Sequence, residues 1–249
     1  MANISTANDS ASAGKPLAGG VALVTGSSRG IGRAIAQRLA QLGAAVSLCG
    51  RNKESLMTTA EELRALGAGV HAQTADVTQA GEIARLVETT ESELGPITIL
   101  VNNAGIGGFG PVHEKTEEEW DLVLNTNLKS VFLVSRAVAP AMIRRGGGDI
   151  INISSLAGKN TFAGGGIYCA SKWGLQGLSG CMAEDLRGHG IRVSVICPGS
   201  VATEFAGRGP KDPRKTLSAE DVAYAVGMVA MQGPQCFISE VHVRPLAKP

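Results

Sequence analysis

Tyr168 and Lys172 stand four residues apart in the run Y-C-A-S-K, a spacing that puts both side chains on one face of a helix. A phenol so placed can give or take a proton at a bound group, but its ordinary pKa of about 10 suits that task poorly. A neighbouring ammonium favours the phenolate and lowers that pKa by roughly one to three units. Ser155, thirteen residues upstream of Tyr168 in I-N-I-S-S-L-A-G, adds a hydroxyl that both donates and accepts. An amphipathic helix start with a half-buried tyrosine and an exposed lysine would explain the pair in isolation. The serine and the glycine run at the other end of the chain argue against that.

The glycine run is T-G-S-S-R-G-I-G, residues 25–32, between a short apolar stretch and a helical one. Gly26, Gly30 and Gly32 have no Cβ, so the backbone can turn tightly and let a pyrophosphate approach, with Ser28, Arg29 and Ile31 on the same turn. The helix that follows presents unpaired N–H groups and a positive dipole end. An ordinary Gly-rich turn would account for the glycines alone.

The spacing departs from G-x-G-x-x-G and resembles the T-G-x-x-x-G-x-G of the short-chain dehydrogenase/reductase superfamily. Further matches follow in order: Asp76-Val77, N-N-A-G at 102–105, Y-C-A-S-K at 168–172, and P-G-S-V-A-T at 198–203 against the family's P-G-x-x-x-T. The likeness runs from 20 to 203 and is closest to NADP-preferring members of the 3-oxoacyl-(acyl carrier protein) reductase kind. It implies hydride transfer between a nicotinamide dinucleotide and a small carbonyl or alcohol substrate, with Asn127, Ser155, Tyr168 and Lys172 as the catalytic tetrad. Asn125 competes for the asparagine's role, and the family's phase selects Asn127, which would hold a water in a proton relay.

By the same resemblance Ser155 bonds the substrate oxygen, Tyr168 moves the proton, and Lys172 also contacts the nicotinamide ribose. Asp76, with Val77 beside it, meets the adenine, and Asn103, Ala104 and Gly105 line the cofactor. The turn of Pro198, Gly199 and Val201 lies under the nicotinamide, and Thr203 meets its carboxamide. At the end of the second strand, where a carboxylate would hold a ribose 2′-OH, this chain has Gly50 followed by Arg51. Arg51 and Arg29 can offer charge-assisted hydrogen bonds to a 2′-phosphate, so the expected cofactor is NADP(H).

Those groups need a scaffold, and the chain alternates short β-branched runs with helix-period stretches, the mark of parallel βαβ units. Strands are expected at 21–25, 45–49, 69–73, 97–101, 150–154, 192–196 and 241–243. Helices are expected at 31–42, 53–66, 80–94, 117–145, 168–188 and 219–231. The fold class is α/β: a Rossmann-like, doubly wound, mostly parallel sheet of seven strands with helices on both faces. With 249 residues, one catalytic domain is expected over 17–249, after a disordered tail at 1–16 rich in Ala, Ser, Asn and Thr.

A formal net charge of +1 gives no field that would recruit nucleic acid or an anionic membrane, and no run is apolar for the roughly 18 residues a membrane helix needs. Five scattered cysteines, with no C-x-x-C pair, fit a reducing compartment, hence the cytoplasm. Cys169, beside the tyrosine, reads as packing rather than a reactive thiol. Family habit suggests a homodimer or homotetramer through the helices at 117–145 and 168–188.

Substrate choice is expected where the likeness fades. Candidate walls are 106–113 with Phe109, 156–167 with Phe162, and the stretch 204–216, whose Arg208, Lys211, Arg214 and Lys215 read more simply as a solvated loop than as an anion site. Carrier-protein recognition would use Arg144 and Arg145, but His189 stands where a second basic residue is wanted. The closing run S-E-V-H-V-R-P also departs from the family's T-G strand followed by Asp-Gly-Gly. A non-catalytic cofactor sensor or scaffold on the same fold is the rival from another class, and the intact tetrad speaks against it.

Overall fold

The computed structural model describes residues 14–205 and 213–247. Most of the expected tail at 1–16, and Arg208 and Lys211 of the stretch before the seventh helix, lie outside the described residues.

Seven strands form one sheet: β1 Val21–Thr25, β2 Ala45–Gly50, β3 Val70–Thr74, β4 Ile99–Asn102, β5 Gly148–Ile153, β6 Ile191–Pro198 and β7 Glu240–Val243. Their order is β3-β2-β1-β4-β5-β6-β7, and every neighbouring pair is parallel. The order reverses between β1 and β4, so the crevice beyond their carboxyl ends is the switch point where open α/β sheets bind ligands. The helices are α1 Gly30–Gln41, α2 Lys53–Ala65, α3 Ala80–Leu94, α4 Glu117–Leu124, α5 Ser130–Arg145, α6 Gly166–Arg187 and α7 Ala219–Ala230.

Alternate residues of β1 feed two cores. Ala22 and Val24 join α1, α2 and α7 on one face, while Val21 and Leu23 join α3, α5 and α6 on the other. Strands covered twice have no polar face, which is why their sequences are apolar at nearly every position. A buried polar ladder crosses the second face: Asn102 Nδ2 donates to Asn152 Oδ1 (2.9 Å) and to Ser135 Oγ (3.1 Å), and Asn152 Nδ2 donates to Ser179 Oγ (2.9 Å). These bonds pin α5 and α6 to β4 and β5, so the helix that carries Tyr168 cannot slide without leaving buried amides unpaired.

The single helix expected at 117–145 is interrupted. Residues Asn125–Lys129 form a π turn between α4 and α5, the one-residue widening that often accompanies a functional side chain. Periodicity could not reveal it, because apolar spacing on both sides stays helical. The other elements match expectation within one or two residues at their ends, where caps and frayed turns decide the boundary. Thr116 caps α4 with a reciprocal Glu119 bond, and Ser218 and Asp221 do the same for α7.

Candidate active site

The glycine turn leaves β1 and enters α1 with Gly26 at φ 63° and Gly30 at φ 55°, a region costly to any residue with a Cβ. Gly26 is further confined because a Cβ there would sit 2.8 Å from Ala104 Cα, and one on Gly32 would lie 2.2 Å from Gly26 O. Asn103 holds the turn from β4, its Nδ2 donating to Thr25 O (2.9 Å) and Gly26 O (3.1 Å). Thr25 Oγ1 in turn accepts from the N–H groups of Asn103 (3.0 Å) and Ala104 (3.1 Å). The two loops are therefore one braced unit, with the first turn of α1 open for a pyrophosphate.

Ser28 lies against the end of β2: the position a Cβ would take on Gly50 is 3.2 Å from Ser28 Oγ. Arg29 and Arg51 are the next residues on each of these two loops. Both are exposed, and Arg29 Nη1 is paired with Glu204 Oε2 at 3.0 Å. Asp76 is half-buried, its Oδ1 accepting from Thr78 N (2.9 Å) and Thr78 Oγ1 (2.8 Å), and Val77 is buried beside it. Ile31 is half-buried at the start of α1 and packs against the first core.

At the reacting end, Ser155 caps a short turn, Leu156–Gly158, with its Oγ accepting from Ala157 N (3.1 Å). That bond uses a lone pair and leaves the hydroxyl proton for another acceptor. Tyr168 and Lys172 lie in the first two turns of α6, both buried. Lys172 Nζ donates to Ile153 O at 2.9 Å, and its other N–H groups have no partner among the described residues. A 5% exposed ammonium with two unused donors points to a ligand that accepts from them, since an unpaired buried charge is costly. Burial pulls its pKa down from 10.5 to about 8, with the charge of Cys197 acting in the opposite sense.

Asn127, fully buried in the π turn, accepts from Ile106 N (2.8 Å) at Oδ1 and donates through Nδ2 to Ile106 O (2.9 Å) and Ser171 Oγ (3.1 Å). Its amide thus ties the loop after β4 to α6. Asn125 makes no such bond. Gly105 sits where Asn127 and Lys172 meet: a Cβ there would be 3.3 Å from Asn127 Oδ1 and 3.8 Å from Lys172 Nζ.

Pro198 and Gly199 leave β6, with Gly199 N bonded to Val243 O (2.8 Å). Val201 bridges to Leu217, and the Thr203 methyl comes within 3.5 Å of where a Cβ on Gly30 would stand. The turn after β6 thus reaches across to the glycine loop.

Around Tyr168 stand two phenyl rings: Phe109 at 5.2 Å and Phe205 at 5.9 Å between ring centres, with Phe162 6.1 Å beyond Phe109. Phe109 and Phe162 belong to the walls the sequence marked. Phe205 was missed, because nothing in the pattern of 204–216 showed that its first residues fold back over the tyrosine. Cys169 is buried, its Sγ directed to Asn160 O (3.6 Å), and burial raises its pKa, as packing requires.

The model of the short chain dehydrogenase family matches residues 20–213 of this chain. The chain belongs to that family. It is 43% identical over 188 residues to a putative ketoacyl reductase of Streptomyces coelicolor, covering 75% of this chain and 72% of that one. It is 41% identical over 192 residues to gluconate 5-dehydrogenase of Gluconobacter oxydans, covering 77% and 75%. Among solved structures it resembles a metagenomic short-chain oxidoreductase in complex with NADP, with a TM-score of 0.82 and 45% identity over 93% of this chain and 100% of that one. Among the described residues no helix is long and apolar enough to cross a membrane.

Proposed function

We propose that this short-chain dehydrogenase is an NADP(H)-dependent carbonyl reductase, acting on uncharged ketones with apolar or aromatic substituents, or on the corresponding alcohols. The observation that carries the reading is the buried Lys172 ammonium, held by Ile153 O and 5.9 Å from the centre of the Tyr168 ring.

The residues present fit the dinucleotide. Gly26, Gly30 and Gly32 with Ser28 and Ile31 receive its pyrophosphate, Arg29 and Arg51 its 2′-phosphate, and Asp76 with Val77 its adenine. Asn103, Ala104 and Gly105 line the middle, and Pro198, Gly199, Val201 and Thr203 the nicotinamide end. When bound, NADPH supplies the hydride to the carbonyl carbon. Ser155 and Tyr168 hold the substrate oxygen between their hydroxyls, and Tyr168 gives it a proton. The Lys172 ammonium stabilises the phenolate that remains, while its two unused N–H groups hold the ribose hydroxyls. Asn127 keeps the loop after β4 in place and thereby the floor under Gly105.

The rings of Phe109 and Phe205, packed against the Tyr168 ring at 5.2 and 5.9 Å, favour an apolar substituent on the carbonyl. A carrier-borne substrate is less well supported, because His189 stands where a second basic residue is wanted beside Arg144 and Arg145. Exposed Phe132, Ile143 and Trp173 on α5 and α6 favour a homodimer or homotetramer through those helices. Absorbance at the nicotinamide band with NADPH and a panel of aryl and alkyl ketones, hydroxy acids and 3-oxoacyl thioesters tests the reading. Turnover is expected with the uncharged ketones. Turnover confined to thioesters or hydroxy acids would overturn the substrate class.

A further inference from the structure

The closing run S-E-V-H-V-R-P is unlike the family's usual ending, and the hydride chemistry makes no use of it. In β7 the period of two puts Glu240 and His242 on one face. The register pairs His242 with Cys197 and Glu240 with Val195, so all three side chains share that face at the edge of the sheet. Cys197 Sγ lies 3.4 Å from Glu240 Oε1, and His242 Nε2 lies 2.7 Å from the same oxygen. The three donor atoms fall within 4.8 Å of one another.

We propose that Cys197, Glu240 and His242 form a binding site for a borderline-soft divalent transition-metal ion of the zinc or cobalt(II) class. Thiolate, imidazole and carboxylate are the ligand types that such ions select. Tetrahedral bonds of about 2.0–2.3 Å separate neighbouring ligand atoms by roughly 3.3–3.8 Å, so the three need shift by less than about 1 Å. The thiol proton leaves to solvent as the metal–sulfur bond forms.

Two of the ligands already carry the outer partners that metal sites use to orient them. Gln176 Nε2 donates to Cys197 Sγ at 3.0 Å. Lys159 Nζ pairs with Glu240 Oε2 at 3.0 Å, leaving Oε1 for the ion. Cys197 is buried whereas His242 is 40% exposed, so the ion would enter from the sheet edge and keep water in its fourth position. Lys159 directly follows the turn that Ser155 caps, and Cys197 directly precedes Pro198. Occupancy therefore ties the open edge of the sheet to two loops of the active site.

Titration of the chelator-treated full-length protein with cobalt(II) tests this, read by the sulfur-to-metal charge-transfer band and the visible bands of tetrahedral cobalt. One equivalent is expected to bind, to be displaced by zinc, and to raise the melting temperature. Cys197→Ser should lose the charge-transfer band, and His242→Ala and Glu240→Gln should each weaken binding at least tenfold. Both of the latter lie on a half-exposed edge, so they keep the test informative if Cys197→Ser fails to fold. Tyr168→Phe should bind cobalt like the wild type, which separates this site from the hydride-transfer reading. Absence of the band, its survival in Cys197→Ser through exposed Cys181 or Cys236, or full affinity in both edge variants would overturn the proposal.

Discussion

Lys172 Nζ lies 5.9 Å from the ring centre of Tyr168 while giving one N–H to the carbonyl of Ile153. Both side chains rise from α6 one turn apart, so the helix sets their spacing, and the end of β5 fixes where the ammonium points. That placement carries a cost in stability, because among the described residues the buried ammonium has one hydrogen-bond partner.

The cost is measurable. Below pH 8 the lysine is charged in both the folded and the unfolded chain. Between about 8 and 10.5 the folded chain has lost a proton that the unfolded chain keeps, so stability rises with pH across that window and levels off above it. Lys172→Met should abolish this rise in the cofactor-free protein and stabilise it at pH 7 by on the order of 1 kcal/mol, while turnover is lost. Denaturant unfolding of both proteins at several pH values checks the slope. A destabilised variant at pH 7 would contradict the account.

The glycines of the first loop differ in what they tolerate. Gly32→Ala drives a methyl to 2.2 Å from Gly26 O and should cost about 3 kcal/mol or more, with loss of NADPH binding. Gly30→Ala meets only the Thr203 methyl at 3.5 Å and should cost about 1–2 kcal/mol for its left-handed backbone. Melting curves with and without NADPH rank the two, and an equal or reversed order would be inconsistent with the braced turn.

Arg29, proposed to meet the 2′-phosphate, is paired in the cofactor-free chain with the carboxylate of Glu204. Arg29→Ala should weaken NADPH about tenfold and leave NADH within about threefold. Glu204→Gln should tighten NADPH by about twofold, since an exposed pair is worth little. Fluorescence titrations with both cofactors decide it. Equal losses for NADPH and NADH in Arg29→Ala would remove the 2′-phosphate from its role.

Phe205→Ala opens one side of the tyrosine. For a bulky aryl ketone, kcat/KM should fall about tenfold through KM, with a smaller change for a small alkyl ketone. Identical losses for both would mean that the ring supports the fold rather than the substrate.

Much of this was legible in the chain because it is local. The i, i+4 spacing of Tyr168 and Lys172, the glycine run between a strand and a helix, and the apolar stretches of the sheet each carry their meaning within a few residues. What stayed hidden depends on distant contacts. The π turn at Asn125–Lys129 carries Asn127, whose amide bonds the backbone of Ile106, 21 residues away, and periodicity is blind to that. The Arg29–Glu204 pair joins segments 175 residues apart, and Phe205 meets Tyr168 only through the chain's return over the crevice.

The most direct measurement is single-turnover consumption of NADPH by Tyr168→Phe with an aryl ketone, alongside the melting shift that NADPH produces in the same variant. The account predicts hydride transfer slowed by about 10²–10⁴-fold with the melting shift retained. Transfer at the wild-type rate in a variant that still binds NADPH would show that the proton does not come from Tyr168.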